Sequence, residues 1–138
     1  QKTADESSLG LVGSEMCIRD RTGNNFFMAR DGVVITPRGH NILRGVSRGA
    51  CIDLARKLDI PLIEADIEPY DVREADEAWW TSTTICMVPI TRFNFQPVGD
   101  GTVGPIYRRL LRAWSEEVGV DIAAQAREYA GLMASWTP

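Results

Sequence analysis

Two places along the chain set out residue types that can hold an anion. The first is Leu43-Arg44-Gly45-Val46-Ser47-Arg48, which runs into an apolar helical pattern. A glycine just before a helix start leaves the N–H groups of Val46 and Ser47 unpaired, at the positive end of the helix dipole. The Ser47 hydroxyl can add a hydrogen bond, and Arg44 or Arg48 can add charge. The second place is the hydroxyl run Thr81-Ser82-Thr83-Thr84, at the end of an apolar strand. Strand ends in α/β folds face the ligand crevice, and threonine hydroxyls and N–H groups suit phosphate or carboxylate. Each place also has an ordinary reading, as a helix cap and as a solvated strand end. The residues alone do not name the ligand.

Elements must position these groups, and the sequence supplies them in order. Asn24 to Pro37 reads as a β-hairpin, because two apolar runs flank Arg30-Asp31-Gly32 and Asp-Gly is a strong turn signal. Ser47 to Ile60 reads as an amphipathic helix with Ser47 as its N-cap and Ala50, Ile52, Leu54, Ala55 and Leu58 on its apolar stripe. Ile60 to Ile67 reads as a strand, Glu68 to Asp76 as a short acidic turn-helix, and Glu77 to Thr84 as a strand. A further strand, a turn and an extended piece follow from Ile85. Gly104 to Val120 reads as a helix with Pro105 near its start, where a missing N–H costs little. Ile106, Leu110, Leu111 and Trp114 share one of its faces. Asp121 to Met133 reads as a last helix, with Asp121 as N-cap. Alternating strands and helices make a mixed α/β domain the expected fold class.

Other residue types with chemical potential are read as structural. His40 is the only histidine and falls in a loop. Trp79 and Trp80 point to opposite faces of one strand, so one of them is expected in the core. Cys86 and Met87 read as packing residues, with the substrate side as the other option. Arg108-Arg109 reads as a solvated helix face. The three cysteines, Cys17, Cys51 and Cys86, have neither metal-ligand spacing nor an even disulfide framework. They read as free thiols of a reducing, cytoplasmic compartment.

Composition narrows the class. With 44% hydrophobic and 25% charged residues over 138 positions, the chain can bury one domain's core. A net charge of −4 argues against a nucleic-acid partner, though not against a local anion pocket. No apolar run approaches the roughly 18 residues that span a bilayer, so no membrane partner is expected. Nor does the start of the chain have the basic and apolar regions of a secretory signal. Gly10 to Arg21 differs in kind. Its back-translation resembles the adapter of transposase-based sequencing libraries. Residues 1–21 are therefore read as a leader plus an adapter-derived segment, and Thr22 to Pro138 as the folding domain.

The ordered set Thr22–Phe27, Asp31–Pro37, Ile42–Arg48, Glu74–Thr84, Val88–Ile90 and Pro97–Leu111 resembles the fold-type IV aminotransferases that use pyridoxal 5′-phosphate. These include the branched-chain and D-amino acid aminotransferases. The resemblance implies the C-terminal domain of such an enzyme, a barrel-like sheet flanked by helices. It implies that Val46 and Ser47 hold the cofactor phosphate through backbone N–H groups and the Ser47 hydroxyl. Thr83 would offer its hydroxyl to the same phosphate, and the Thr84 N–H would help hold the substrate carboxylate. The substrates implied are an amino acid, branched-chain first, and a 2-oxo acid. A homodimer or larger assembly is implied for the intact enzyme. The family's Schiff-base lysine belongs upstream of the matching region, and Lys2 and Lys57 do not fit its place. The glutamate that pairs with the pyridine nitrogen belongs where Asp20 stands. No catalytic residue is therefore assigned, and this chain is expected not to transaminate. Two other readings stay open: an aminodeoxychorismate lyase of the same fold, and a non-catalytic phosphate-binding or interaction domain.

Overall fold

Asp31 and Gly32 reverse the chain with φ of 52° and 80°, the left-handed pair that matches the twist of a two-residue hairpin. They join β1 (Asn24–Arg30) to β2 (Val33–Thr36), paired antiparallel from Met28↔Ile35 to Arg30↔Val33. The Thr36 hydroxyl, buried, donates to the Phe26 carbonyl at 2.7 Å and pins the pair. This computed structural model describes residues 24–39, 45–82 and 86–135. Arg44, His40, Thr83 and Thr84 fall outside the described residues, as do Cys17, Asp20 and all of residues 1–23.

The chain then forms α1 (Val46–Lys57), β3 (Leu62–Glu64), α2 (Pro69–Arg73), β4 (Glu77–Ser82) and β5 (Cys86–Ile90). A small hairpin of β6 (Arg92–Phe93) and β7 (Gln96–Pro97) follows, then α3 (Pro105–Val118) and α4 (Ile122–Ser135). Among the described residues, five strands make one sheet in the order β3-β2-β1-β4-β5. Within it β2 and β3 run parallel, and the other pairs are antiparallel. The sheet has edges at β3 and β5, so the barrel-like expectation becomes an open five-stranded sheet among the described residues. No helix there is long and apolar enough to cross a membrane.

β4 is buried at every position and paired on both sides. Its alternation supplies both cores. Trp80 faces the cluster with Phe26, Met28, Val72 of α2, Phe93 and Val98. Trp79 faces the cluster with Phe27, Cys51, Leu54 and Ala55 of α1, and Tyr107 and Leu110 of α3. The expectation of one core tryptophan is thus corrected to two, because elements cover both faces of the sheet. Phe26 meets Trp80 edge-on at 5.3 Å, and Phe27 stacks on Trp79 at 5.8 Å. Ring pairs of this kind add about 0.5–1.5 kcal/mol beyond their buried area.

The N-cap of α1 lies two residues earlier than its sequence pattern suggests. Gly45, not Ser47, occupies the N-cap, with φ −67° and ψ 152° and no side-chain cap. Ser47 is pulled into the first turn because its hydroxyl has a partner on the sheet, described below. α3 starts at Pro105 and ends at Gly119, whose φ of 73° closes the helix in the left-handed region. Asp121 caps α4 as expected, its Oδ1 accepting the Ala124 N–H at 2.9 Å.

Candidate anion site at the start of α1

Among the described residues, three of the four helices close their N-termini with the chain's own carboxylates. Glu68 and Asp71 form a reciprocal capping box on α2. Asp121 serves α4. Glu77, at the start of β4 and buried, reaches α3, where its two oxygens accept the N–H groups of Ile106 at 3.0 Å and Tyr107 at 2.9 Å. Gly104, the N-cap of α3, leaves room for that carboxylate. Sequence reasoning misses Glu77. The available signal is Gly104-Pro105, a helix start with no Ser, Thr, Asp or Asn to cap it, which demands an acceptor from elsewhere.

α1 differs. Its first turn holds no acidic residue, and its N-cap is a bare glycine. The first backbone bond at this end runs from the Gly49 N–H to the Gly45 carbonyl at 3.1 Å. The N–H groups of Val46, Ser47 and Arg48 precede it and meet no acceptor among the described residues. Val46 is exposed. Unpaired first-turn amides at the positive end of a twelve-residue helix favour an anion.

The buried Ser47 hydroxyl donates to the Ser82 carbonyl at 2.8 Å, across 35 residues of sequence. That carbonyl belongs to the peptide that continues to Thr83. The structure therefore ties the start of α1 to the end of β4, the two places singled out from sequence. Thr83, Thr84 and Ile85 connect β4 to β5, which resumes at Cys86 opposite Ser82. The hydroxyl's single proton is engaged by Ser82, so of Ser47's two donors the N–H is the one without an acceptor among the described residues.

Arg48 does not add charge to the mouth of the site. It is buried, with one terminal nitrogen on the Pro37 carbonyl at 3.1 Å and on Glu64 at 2.7 Å. It ties α1 to the ends of β2 and β3 instead. Two further buried polar residues lie on the α1 face of the sheet. Asn25 and Thr81 stand opposite each other in the β1–β4 ladder, in register with Phe27 and Trp79, which pack on α1. The Thr81 hydroxyl has no hydrogen-bond partner among the described residues.

Other candidate chemistry resolves into packing. Cys51 is fully buried, and burial pushes its thiol up to about 12. Cys86 is half-buried and raised for the same reason. Met87 packs beside α1 and α3, and its carbonyl accepts the Tyr107 hydroxyl at 3.0 Å. Lys57, the one lysine among the described residues, lies in the last turn of α1, paired with Glu117 at 3.2 Å. Arg108 and Arg109 are exposed on α3, as expected. Among the described residues no group of His, Cys, Asp or Glu could hold a metal ion.

Known proteins resemble this chain in sequence and fold. Residues 9–93 match the family model for amino-transferase class IV. That match begins ahead of Thr22. D-alanine aminotransferase of Listeria monocytogenes is 40% identical over 102 residues, 73% of this chain and 35% of the relative. The crystal structure of Escherichia coli branched-chain amino acid aminotransferase is similar at TM-score 0.65 and 32% identity, over 67% of this chain and 31% of that one. The T.th. branched-chain amino acid aminotransferase complexed with N-(5′-phosphopyridoxyl)-L-glutamate is similar at TM-score 0.63 and 27% identity, over 68% and 32% of the two chains. The chain spans about a third of the length of these relatives. Family match, identity and fold agree: the chain belongs to the class IV amino-transferase family.

Proposed function

We propose that this chain is the cofactor-phosphate portion of an enzyme that moves an amino group between an amino acid and a 2-oxo acid with pyridoxal 5′-phosphate. The observation that carries the reading is the start of α1, where first-turn amides meet no acceptor among the described residues and Ser47 is tied to the strand end before Thr83. The fit extends to the donor set. A phosphate dianion accepts hydrogen bonds only, and Val46 and Ser47 offer N–H donors without an internal carboxylate to compete. Thr83 would add its hydroxyl to the phosphate, and the Thr84 N–H would turn to the substrate carboxylate. When bound, the cofactor supplies an electron sink for bond breaking at the amino acid's Cα.

Among the described residues, the groups at this site hold and orient, and none of them is a lysine that could move the proton. Lys57 sits at the far end of α1 from the free amides, bound to Glu117. Lys2 and Asp20 lie outside the described residues. We therefore expect no turnover of amino donors by the 138-residue chain. A branched-chain amino acid is the first candidate substrate, after the two similar branched-chain enzyme structures. The 40% identity to a D-alanine aminotransferase makes D-alanine the second. A cytosolic location and a homodimeric or larger intact enzyme accompany this reading.

Val46→Pro tests it. Proline is tolerated at the first helical position and fits the extended Gly45 before it. The exposed Val46 side chain has little packing to lose. The substitution removes one N–H donor and should leave α1 in place. Binding of pyridoxal 5′-phosphate, followed by its absorbance and by calorimetry, should weaken about tenfold through loss of one charge-assisted hydrogen bond. Unchanged affinity with helicity retained would show that the phosphate is held elsewhere.

A further inference from the structure

Gly45 has ordinary extended torsions, φ −67° and ψ 152°. Its backbone therefore does not require glycine, and Ser, Thr, Asp or Asn would cap α1 better. What excludes them is a neighbour. A Cβ built on Gly45 would lie 2.7 Å from Oδ1 of Asn25. Asn25 is 3% exposed, held in the β1–β4 ladder opposite Thr81, on the face that packs against α1. Its carboxamide therefore has little room to swing aside.

We infer that Asn25 is a positioning residue for the anion site: its carboxamide restricts position 45 to glycine and so keeps the first-turn amides of α1 free and fixed in direction. The inference rests on the reading of that site given above. Two physical effects follow from one contact. A side chain at position 45 would push the loop entering α1 off the sheet and re-aim the Val46 and Ser47 N–H groups. A polar side chain there would also take one of those N–H groups for itself, as N-cap residues do, and compete with the ligand. Asn25 prevents both through its approach to position 45.

A double-mutant cycle with inorganic phosphate as the probe tests this on the full chain. It is read by the backbone amide resonances of Val46 and Ser47 and by melting temperature. Gly45→Ala should displace both resonances before phosphate is added, weaken phosphate about tenfold and lower the melting temperature by roughly 5 °C. In Asn25→Ser and Asn25→Gly backgrounds the added methyl has space. There Gly45→Ala should change affinity by less than about threefold, within the spread expected of uncoupled sites. Gly45→Ser in the Asn25→Gly background should melt no lower than its parent, because it gains a cap, yet lose phosphate about tenfold. Equal damage by Gly45→Ala in every background, or no damage with Asn25 in place, overturns the role of Asn25. Retained phosphate binding by Gly45→Ser in the open background overturns the competition for amides. Wild-type amides that ignore phosphate overturn the anion site itself, and the melting-temperature arm then still decides whether Asn25 controls position 45.

Discussion

Ser47 shows how one side chain can shape a candidate site through a bond made elsewhere. Its hydroxyl bond to Ser82 joins a helix start to a strand end, and the amide it leaves free is a consequence of where that bond holds the backbone. Ser47→Ala should lower stability by about 1 kcal/mol in urea unfolding, the net worth of a buried neutral hydrogen bond; no change would mean that packing alone sets the helix start. Cys51 bears on pH. Burial raises its thiol from 9.0 to about 12 in the folded chain. The unfolded chain therefore releases this proton first, so the thiol's contribution to stability is complete below pH 9 and falls as pH rises towards 12. Wild type should lose stability between about pH 9 and 11 faster than Cys51→Ala does, as measured by urea midpoints. Parallel losses would contradict the burial assigned to this thiol. The sequence offers the Ser47 hydroxyl as a phosphate donor and Arg48 as a source of charge. Both side chains turn inward, because their partners, Ser82, Pro37 and Glu64, come from strands that a local pattern does not see.

Glu77 and Phe95 carry the predictions that belong to whole elements. Glu77 closes α3 from the first residue of β4. Glu77→Ala should cost about 2–3 kcal/mol, since two helix amides lose a buried charged acceptor. Glu77→Gln, which keeps one acceptor oxygen, should cost less; equal costs would mean that the carboxylate acts only by filling space. In the β6–β7 turn, Asn94 and Phe95 have φ of 50° and 66°, and Phe95 is 81% exposed. A bulky residue held in the left-handed region without burial is strained. Phe95→Gly should therefore raise stability by about 1 kcal/mol, read as a higher melting temperature. A lower one would reveal a packing role for the ring. The hairpins and helices are legible in the sequence because their signals are local: Asp31-Gly32, Pro105 at a helix start, Asp121 as a cap. The order of the strands and the covering of both faces of β4 are not. They depend on which elements pack on Trp79 and Trp80, which alternation along one strand leaves open.

At the scale of the molecule, β4 acts as a spacer between two helix starts. Its first residue fills one with a carboxylate, and its last ties down the other and leaves it open. Among the described helices, that asymmetry leaves one N-terminus suited to a foreign anion, which we propose to be a cofactor phosphate. The central claim is that this anion is held by the amides that begin α1. Titrating pyridoxal 5′-phosphate into the isotopically labelled chain and following every backbone amide tests it most directly. The N–H resonances of Val46 and Ser47 should move most and saturate together, while those of Ile106 and Tyr107, already held by Glu77, stay in place. Saturable shifts centred on α3 or α4, with Val46 and Ser47 unmoved, would contradict the account.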